Sequence, residues 1–145
     1  MFKNVHEPII EREVWEQVQQ HMQRMPAHMQ MFGLSAQGGA QYILDHFPAK
    51  LVFVTCGADG CWFQNRGASG HVDSLKNIKV VDTTGAGDIF GGSAVWRLLQ
   101  TGKAPEDLSE AELREIVSFA CRAAGLSTTM SGGISSVPDM KIKQQ

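Results

Sequence analysis

The sequence has no excess of positive charge and no long apolar run, and each absence excludes a class of function. Its 13 Lys and Arg against 15 Asp and Glu give a net charge of −2, which leaves no electrostatic footprint for nucleic acid. It contains no stretch of about 18 apolar residues and no basic, apolar leader at the N-terminus. We therefore expect no nucleic-acid partner, no membrane partner and a cytoplasmic location.

Cysteine is also scarce. Cys56, Cys61 and Cys121 make an odd number in a chain without an export signal, which predicts reduced thiols. Four residues separate Cys56 from Cys61 and no second pair follows, so a zinc site is disfavoured. Hydrophobic residues still make up 43% of the chain, which is enough for one packed core, and the length suits a single domain.

Lysine is missing where a common phosphate-binding loop would need it. No Lys occurs between Lys79 and Lys103, so the glycines near residue 85 do not belong to a loop that ends in Gly-Lys-Ser/Thr. Because these glycines fall at 85, 87 and 91, they also fail the G-x-G-x-x-G spacing of dinucleotide-binding loops. A nicotinamide-binding function is therefore disfavoured.

The glycines belong to the string Asp-Thr-Thr-Gly-Ala-Gly-Asp at residues 82–88, between an apolar run and a helix-like segment. Gly85 and Gly87 let the backbone approach a ligand closely, and the N–H groups of Ala86, Gly87 and Asp88 would be unpaired donors in a first helical turn. An anion fits such donors, and Asp88 could accept a proton from an attacking hydroxyl. Alternatively, Asp88 only favours a helix N-terminus and the glycines only form a turn.

This string resembles the D-T-x-G-A-G-D signature of the PfkB/ribokinase family of carbohydrate kinases and matches every fixed position. The resemblance implies an ATP-dependent enzyme in which Asp88 is the catalytic base. It also implies that the backbone of Gly85, Ala86 and Gly87 forms the anion hole.

Flanking segments extend the resemblance to the nucleotide site. The apolar run at 51–54 predicts a strand buried on both faces, and Thr55, Gly57 and Gly60 follow it in the family's T-x-G-x-x-G pattern. The resemblance implies that these residues bind ATP along its phosphates. Cys121 stands where many members carry an Asn that faces the nucleotide, and it takes that ATP-binding position here.

Two cation sites are implied by the resemblance alone. A monovalent cation, K⁺, would lie near Asp82 and Thr84, with Ser136 at the same site. Asn4 and Glu7 spell the N-x-x-E pattern with which the family places water linked to Mg²⁺. A chance match of these four residues is the alternative for the Mg²⁺ assignment.

Periodicity and turn residues predict the order of the elements. They predict a helix before Pro48, a strand at 51–54, a hairpin of 61–64 and 70–72, a strand at 78–82, a helix from Asp88 to about Gln100, and a last helix after Ser109. Gly102 would end the helix that begins at Asp88, and Ser109 with Glu112 forms a capping box. The small residues Gly91, Gly92, Ser93 and Ala94 weaken that helix, which predicts close packing against the sheet or the nucleotide.

We interpret residues 1–145 as one partial domain. Residues 50–139 resemble the nucleotide-binding half of a PfkB-type kinase, including the pieces at 126–129 and 132–138. Residues 1–49 are expected to be helical, with an amphipathic packing helix at 13–25. The expected fold is α/β, the ribokinase-like three-layer α/β/α arrangement, of which only the C-terminal portion is present.

The resemblance implies a fructokinase-like enzyme that phosphorylates a sugar hydroxyl. Its expected ligands are ATP, Mg²⁺, K⁺ and a small sugar, and the family allows a homodimer. The alternative is a catalytically inactive nucleotide-binding or structural fragment that lacks the sugar site.

Overall fold

The computed structural model describes residues 35–133 and 136–138. Asn4, Glu7 and the helix expected at 13–25 lie outside this part of the chain. The described helices are α1 (Ala36–His46), α2 (Ala86–Thr101) and α3 (Glu110–Ser127), and the strands are β1 (Leu51–Thr55), β2 (Cys61–Asn65) and β3 (Ser69–Val72). Short 3₁₀ turns at Gly57–Asp59 and Pro105–Asp107 connect some of them.

The three strands form one antiparallel sheet in the order β1-β2-β3. Phe53 of β1 lies opposite Phe63 of β2, and the predicted hairpin between β2 and β3 is confirmed. Asn65 holds the hairpin turn, because its Oδ1 accepts hydrogen bonds from the backbone N–H groups of Gly67 at 2.9 Å and Ala68 at 2.7 Å. Its position follows from the asparagine preference for turns.

Helices cover both faces of this sheet. Side chains alternate between faces along a strand, so neighbouring residues of β1 enter different hydrophobic clusters. Val52 packs with Ala40 and Leu44 of α1. On the opposite face, the ring of Phe53 meets Phe90 of α2 edge to face, with 6.1 Å between centroids. The expected α/β/α layering is therefore present around β1 and β2.

The prediction that β1 is buried on both faces holds only in part. Val52 is 7% exposed, but its neighbours in the strand are half-buried and Thr55 is exposed. The physical reason is position: within the described residues β1 pairs only with β2 and forms an edge of the sheet.

The predicted strand at 78–82 is wrong. In a β-strand, backbone N–H and C=O groups bond to a series of residues along a neighbouring strand. Here the N–H groups of Val81 and Asp82 both donate to the same acceptor, the carbonyl oxygen of Thr128, at 2.7 Å and 3.1 Å. Val80 and Val81 remain 56% and 57% exposed. The segment is instead anchored to the end of α3.

The predicted end of α2 and the predicted start of α3 are observed, and the start of α2 is shifted. α2 begins at Ala86, two residues before the predicted start, and Gly102 ends it in the left-handed region with φ of 64°. The capping box of Ser109 and Glu112 at the start of α3 is confirmed. Leu113, Ile116, Val117 and Ala120 form the buried apolar face of α3, in one core cluster with Phe63 of β2 and Phe90 of α2.

Of the small residues on α2, Gly91 and Gly92 do not pack closely against the sheet, whereas Ala94 is buried in the core cluster with Phe63; packing of the two glycines against a nucleotide stays a prediction. A Cβ atom at either position would meet no atom within 4 Å, because Phe90 and Ala94 supply the buried face of α2. None of the described helices combines the length and apolar character needed to cross a membrane.

Candidate active site

The loop before α2 brings two glycines into contact. Gly85 has φ of 78°, a left-handed conformation that favours glycine. A Cβ atom on Gly85 would lie 3.1 Å from the Cα of Gly133, so the two backbones approach more closely than most side chains allow. The motif at 82–88 and the loop at 132–133 therefore form one packed unit, although 50 residues separate Asp82 from its partner Gly132.

Asp82 ties this unit together through both carboxylate oxygens. Its Oδ2 accepts a hydrogen bond from Gly132 N at 3.0 Å, and its Oδ1 accepts one from Thr84 N at 2.9 Å. Hydrogen bonds from Gly132 and then Thr84 lower the pKa of Asp82 from 3.8 to about 2, since they stabilise the ionised form. Asp82 is therefore a fixed anion at neutral pH.

Ser136 lies in the same loop. Its backbone N donates to the O of Gly132 at 3.2 Å. Its side-chain oxygen is buried, and among the described residues it has no hydrogen-bond partner. A buried hydroxyl without a partner is costly unless a water or an ion satisfies it. A hard cation takes oxygen ligands, so the orphaned oxygen of Ser136 and the ionised Asp82 fit the implied K⁺.

The amides at the start of α2 differ from the prediction in one respect. Ala86 N donates to the O of Thr83 at 3.2 Å, so the expectation that it is unpaired is wrong. The first bond of the helix runs from Ile89 N to the O of Gly85 at 2.9 Å. The amides of Gly87 and Asp88 lie in the first turn, where a helix offers no acceptor. These two amides are therefore the ones that the first turn leaves available to a ligand.

A cleft of about 540 Å³ lies between the β1–β2 turn, the segment after β3, the start of α2 and one side of α3. We call it the central cleft. It brings together six of the residues predicted from the sequence: Thr55, Gly57, Gly60, Ala86, Gly87 and Cys121. A Cβ atom on Gly87 or Gly57 would meet no atom within 4 Å, so both backbones are accessible to a ligand.

Gly60 also has a structural role. With φ of 96° it is in a conformation that side chains rarely adopt, and a Cβ atom there would lie 2.0 Å from the O of Val72. Glycine is therefore required at position 60 because the backbone there lies against the end of β3, whether or not a ligand is bound.

Asp88 is exposed in the first turn of α2 and is not among the residues that line the central cleft. Consecutive helical residues are about 100° apart, so Asp88 faces a different direction from Gly87, which does line it. Asp88 thus lies beside the first-turn amide of Gly87 but outside the lining of the cleft.

Cys121 is buried on α3, with 7% exposure, where it lines the cleft. Burial, and then the charge of Asp73, raises the pKa of Cys121 to about 11. Burial raises the pKa of Cys61 to about 12, and both thiols are free. These thiols are protonated at neutral pH and are poor nucleophiles.

The sequence prediction missed the segment that follows β3 as a wall of the cleft. Ser74 Oγ and Lys76 Nζ both donate to the O of Ala58, at 2.5 Å and 3.2 Å. Leu75 packs so closely on α3 that a Cβ atom on Gly125 would lie 2.6 Å from its Cβ. The row of small residues at helical spacing on α3 was the sequence feature that could have predicted this close contact.

A wider depression of about 710 Å³, lined by residues 64–69 and 106–110, contains none of the motif residues.

Comparison with known sequences identifies the class. The pfkB family carbohydrate kinase profile matches residues 31–140, so the chain belongs to that family. Among curated proteins, the fructokinase of Solanum tuberosum is 37% identical over 93 residues, which are 64% of this chain and 28% of that protein. This chain therefore spans less than a third of the length of such relatives.

Solved structures of this family share the fold. The ribokinase of Thermotoga maritima superposes with a TM-score of 0.59 at 36% identity, over 74% of this chain and 33% of that chain. A double mutant of the fructokinase from Vibrio cholerae O395, in a form bound to fructose, ADP and potassium ion, gives a TM-score of 0.60 at 32% identity, over 72% of this chain and 32% of that chain. The ribokinase-like fold class predicted from the sequence is confirmed.

Proposed function

We propose that this chain supplies the ATP site and the catalytic base of a kinase that phosphorylates a sugar hydroxyl. The observation that carries the proposal is the central cleft, which joins Thr55 and Gly57 of one motif to Gly87 of the other. Asp88 follows Gly87 directly in the chain. A phosphate held by the backbone at this position would have a carboxylate next to it.

In the proposed reaction, the phosphates of ATP lie along Gly57 and Gly87 in the cleft. The amides of Gly87 and Asp88 in the first turn of α2 donate to phosphate oxygens, and the positive end of the helix dipole adds to this attraction. Such donors stabilise the charge that develops on the transferred group, which is the main demand of phosphoryl transfer.

Asp88 accepts the proton of the sugar hydroxyl while the hydroxyl oxygen bonds to the γ-phosphorus and ADP leaves. A general base must be within hydrogen-bond distance of its proton. Because Asp88 faces away from the cleft wall, the sugar would approach from outside the cleft and meet the γ-phosphate at its mouth.

We assign the K⁺ site to the unit formed by Asp82, Thr84 and Ser136. A cation there would act by holding Gly132 and Ser136 against the motif at 82–88, and so would position the proposed anion donors. Mg²⁺ would neutralise phosphate charge when bound, and the proposal assigns none of the described residues to it.

Fructose is the proposed sugar. The curated relatives are fructokinases, and a structural neighbour binds fructose, ADP and potassium ion. These similarities support a sugar substrate. The chemistry of the described residues concerns the phosphate donor and the catalytic base.

The proposed enzyme needs further sequence to enclose the sugar. β1 contains no charged residue or proline, the features that usually protect a sheet edge, and helices cover both of its faces. An edge of this kind is suited to pair with another strand of the same kinase. The chain spans 28% of its fructokinase relative, which leaves ample sequence for that strand.

The test is complementation. We expect the 145-residue chain alone to show negligible ATP-dependent phosphorylation of fructose, and activity to appear when the upstream part of a related fructokinase is supplied in cis or in trans. Fructose phosphorylation by the purified chain alone would contradict the incomplete-site argument. Absence of activity in the completed protein, with ATP binding retained, would favour the alternative of a nucleotide-binding fragment.

A further inference from the structure

Among the described residues that line the central cleft, Lys76 is the one whose side chain is charged at neutral pH. The other polar side chains of the lining are neutral, and they belong to Thr55, Ser74, Asn77, Thr83, Thr128 and the protonated thiol Cys121. The carboxylates of Asp82 and Asp88 do not line the cleft. The full charge that the lining offers to a ligand is therefore positive.

The ammonium group of Lys76 lies against the turn between β1 and β2. Its Nζ donates to the O of Ala58 at 3.2 Å. Ala58 directly follows Gly57, whose backbone is accessible from the cleft because a Cβ atom there would meet nothing within 4 Å. An ammonium group has three N–H donors, and the contact with Ala58 uses one of them. The others can bind a ligand that lies beside Gly57.

The residues next to Lys76 hold its backbone in place. Ser74 Oγ donates to the same carbonyl, Ala58 O, at 2.5 Å. Leu75 packs closely on α3, since a Cβ atom on Gly125 would lie 2.6 Å from the Cβ of Leu75. Asn77 has φ of 59°, a left-handed conformation that asparagine tolerates better than most residues. The long side chain of Lys76 therefore extends from a fixed position, as a binding residue requires.

A cation is needed in this cleft if a nucleotide is to bind there. The phosphates of ATP carry several full negative charges, whereas the amides at the start of α2 supply only partial positive charge. Burial, and then the charge of Asp73, raises the pKa of Cys121, which shows that a carboxylate outside the lining also acts on the cleft. Lys76 is the group in the lining that can offset this negative charge.

Building on the function proposed above, we propose that Lys76 is a phosphate-binding residue of the nucleotide site. Its ammonium group stays on Ala58 O and contacts a phosphate oxygen beside Gly57, while the amides of Gly87 and Asp88 donate to the transferred group. Lysine acts here as a point charge, a common way of binding phosphate. Lys76 belongs to neither of the two sequence motifs.

Titration calorimetry on the purified chain tests this with two Mg²⁺-loaded probes, inorganic tripolyphosphate and ATP. Lys76→Met keeps the length of the side chain and removes its charge, so the affinity for both probes should fall roughly tenfold. Lys76→Arg keeps the charge and should bind both within about threefold of the wild type. Lys79→Met is the matched control, because Lys79 is exposed on the same segment and does not line the cleft. An equal loss in the Lys79 and Lys76 variants would overturn the assignment.

Ionic strength separates an effect of charge from an effect of shape. Salt screens the attraction between an ammonium group and a phosphate, so raising choline chloride from about 0.05 M to about 0.5 M should weaken binding more in the wild type than in Lys76→Met. The tenfold difference between them should shrink to about threefold. A difference that salt leaves unchanged would show that Lys76 only shapes the cleft, and the inference would be overturned.

The two proposals fail differently. If the wild type bound neither probe, the phosphate site itself would be refuted, and the inference would fall with it. If Gly87→Val lost binding while Lys76→Met kept it, the phosphate site would stand and only the assignment of Lys76 would fail. Circular dichroism checks folding. Lys76→Gln, whose amide can still donate to Ala58, replaces a Met variant that does not fold, with the same expected loss.

Discussion

Gly87→Val tests the phosphate site without disturbing the fold. A Cβ atom at Gly87 meets no atom within 4 Å, so the position has open space for the first carbon of a side chain. In a helix, valine costs less than glycine by a few tenths of a kcal/mol. Stability should therefore be unchanged or slightly higher. The added methyl groups extend into the central cleft, which Gly87 lines.

We expect Gly87→Val to lose binding of Mg²⁺-ATP by at least about a hundredfold, close to 3 kcal/mol, because the phosphates and the methyl groups need the same space. Titration calorimetry measures this directly. Gly92→Val is the matched control: it lies on the same helix, a Cβ atom there also meets nothing within 4 Å, and it does not line the cleft. Equal ATP affinity of both variants and the wild type would refute the anion-donor assignment.

Other predictions concern the turn glycines and the anchored carboxylate. Gly60→Ala should lower the free energy of unfolding by at least about 2 kcal/mol, since its Cβ would lie 2.0 Å from Val72 O, whereas Gly57→Ala, in open space at φ of 58°, should cost only about 1 kcal/mol; equal losses in urea denaturation would contradict the close contact. Asp82 has a pKa lowered from 3.8 to about 2, so its contribution to stability is present above its unfolded-state pKa and is lost as the pH falls through about 2. The stability difference between wild type and Asp82→Asn should therefore shrink between about pH 4 and pH 2, and a difference independent of pH would contradict these hydrogen bonds. In the completed kinase, Asp82→Asn should mainly change the dependence of activity on K⁺, and a loss of activity that is the same at every K⁺ concentration would place Asp82 elsewhere in the mechanism.

The local elements followed from the sequence where local chemistry decides them. Gly102 ended α2 and the capping box of Ser109 and Glu112 began α3, as predicted, because caps depend on a few adjacent residues. The hairpin of β2 and β3 was also confirmed. The strand predicted at 78–82 failed because pairing requires a partner elsewhere in the chain, which local apolar character cannot supply.

The site was predictable in its motifs and unpredictable in its contacts. The motifs identified the glycines, Cys121 and Thr55 that meet in the central cleft. The bond from Gly132 to Asp82 and the bond from Ala86 to Thr83 depend on how two loops fold against each other. The wall formed by Leu75 has no motif, because its fit to Gly125 is a matter of shape.

The most direct measurement of the central claim is the turnover of Asp88→Asn in the completed kinase with fructose and ATP. Asparagine keeps the shape of the side chain and removes its ability to take a proton. The account predicts that turnover falls by roughly 10²–10⁴, while the Michaelis constant for ATP changes little, because Asp88 lies outside the cleft. Asp107→Asn, another exposed carboxylate outside the cleft, should leave turnover unchanged. If Asp88→Asn kept most of its turnover, Asp88 would not be the base and the proposed mechanism would be wrong.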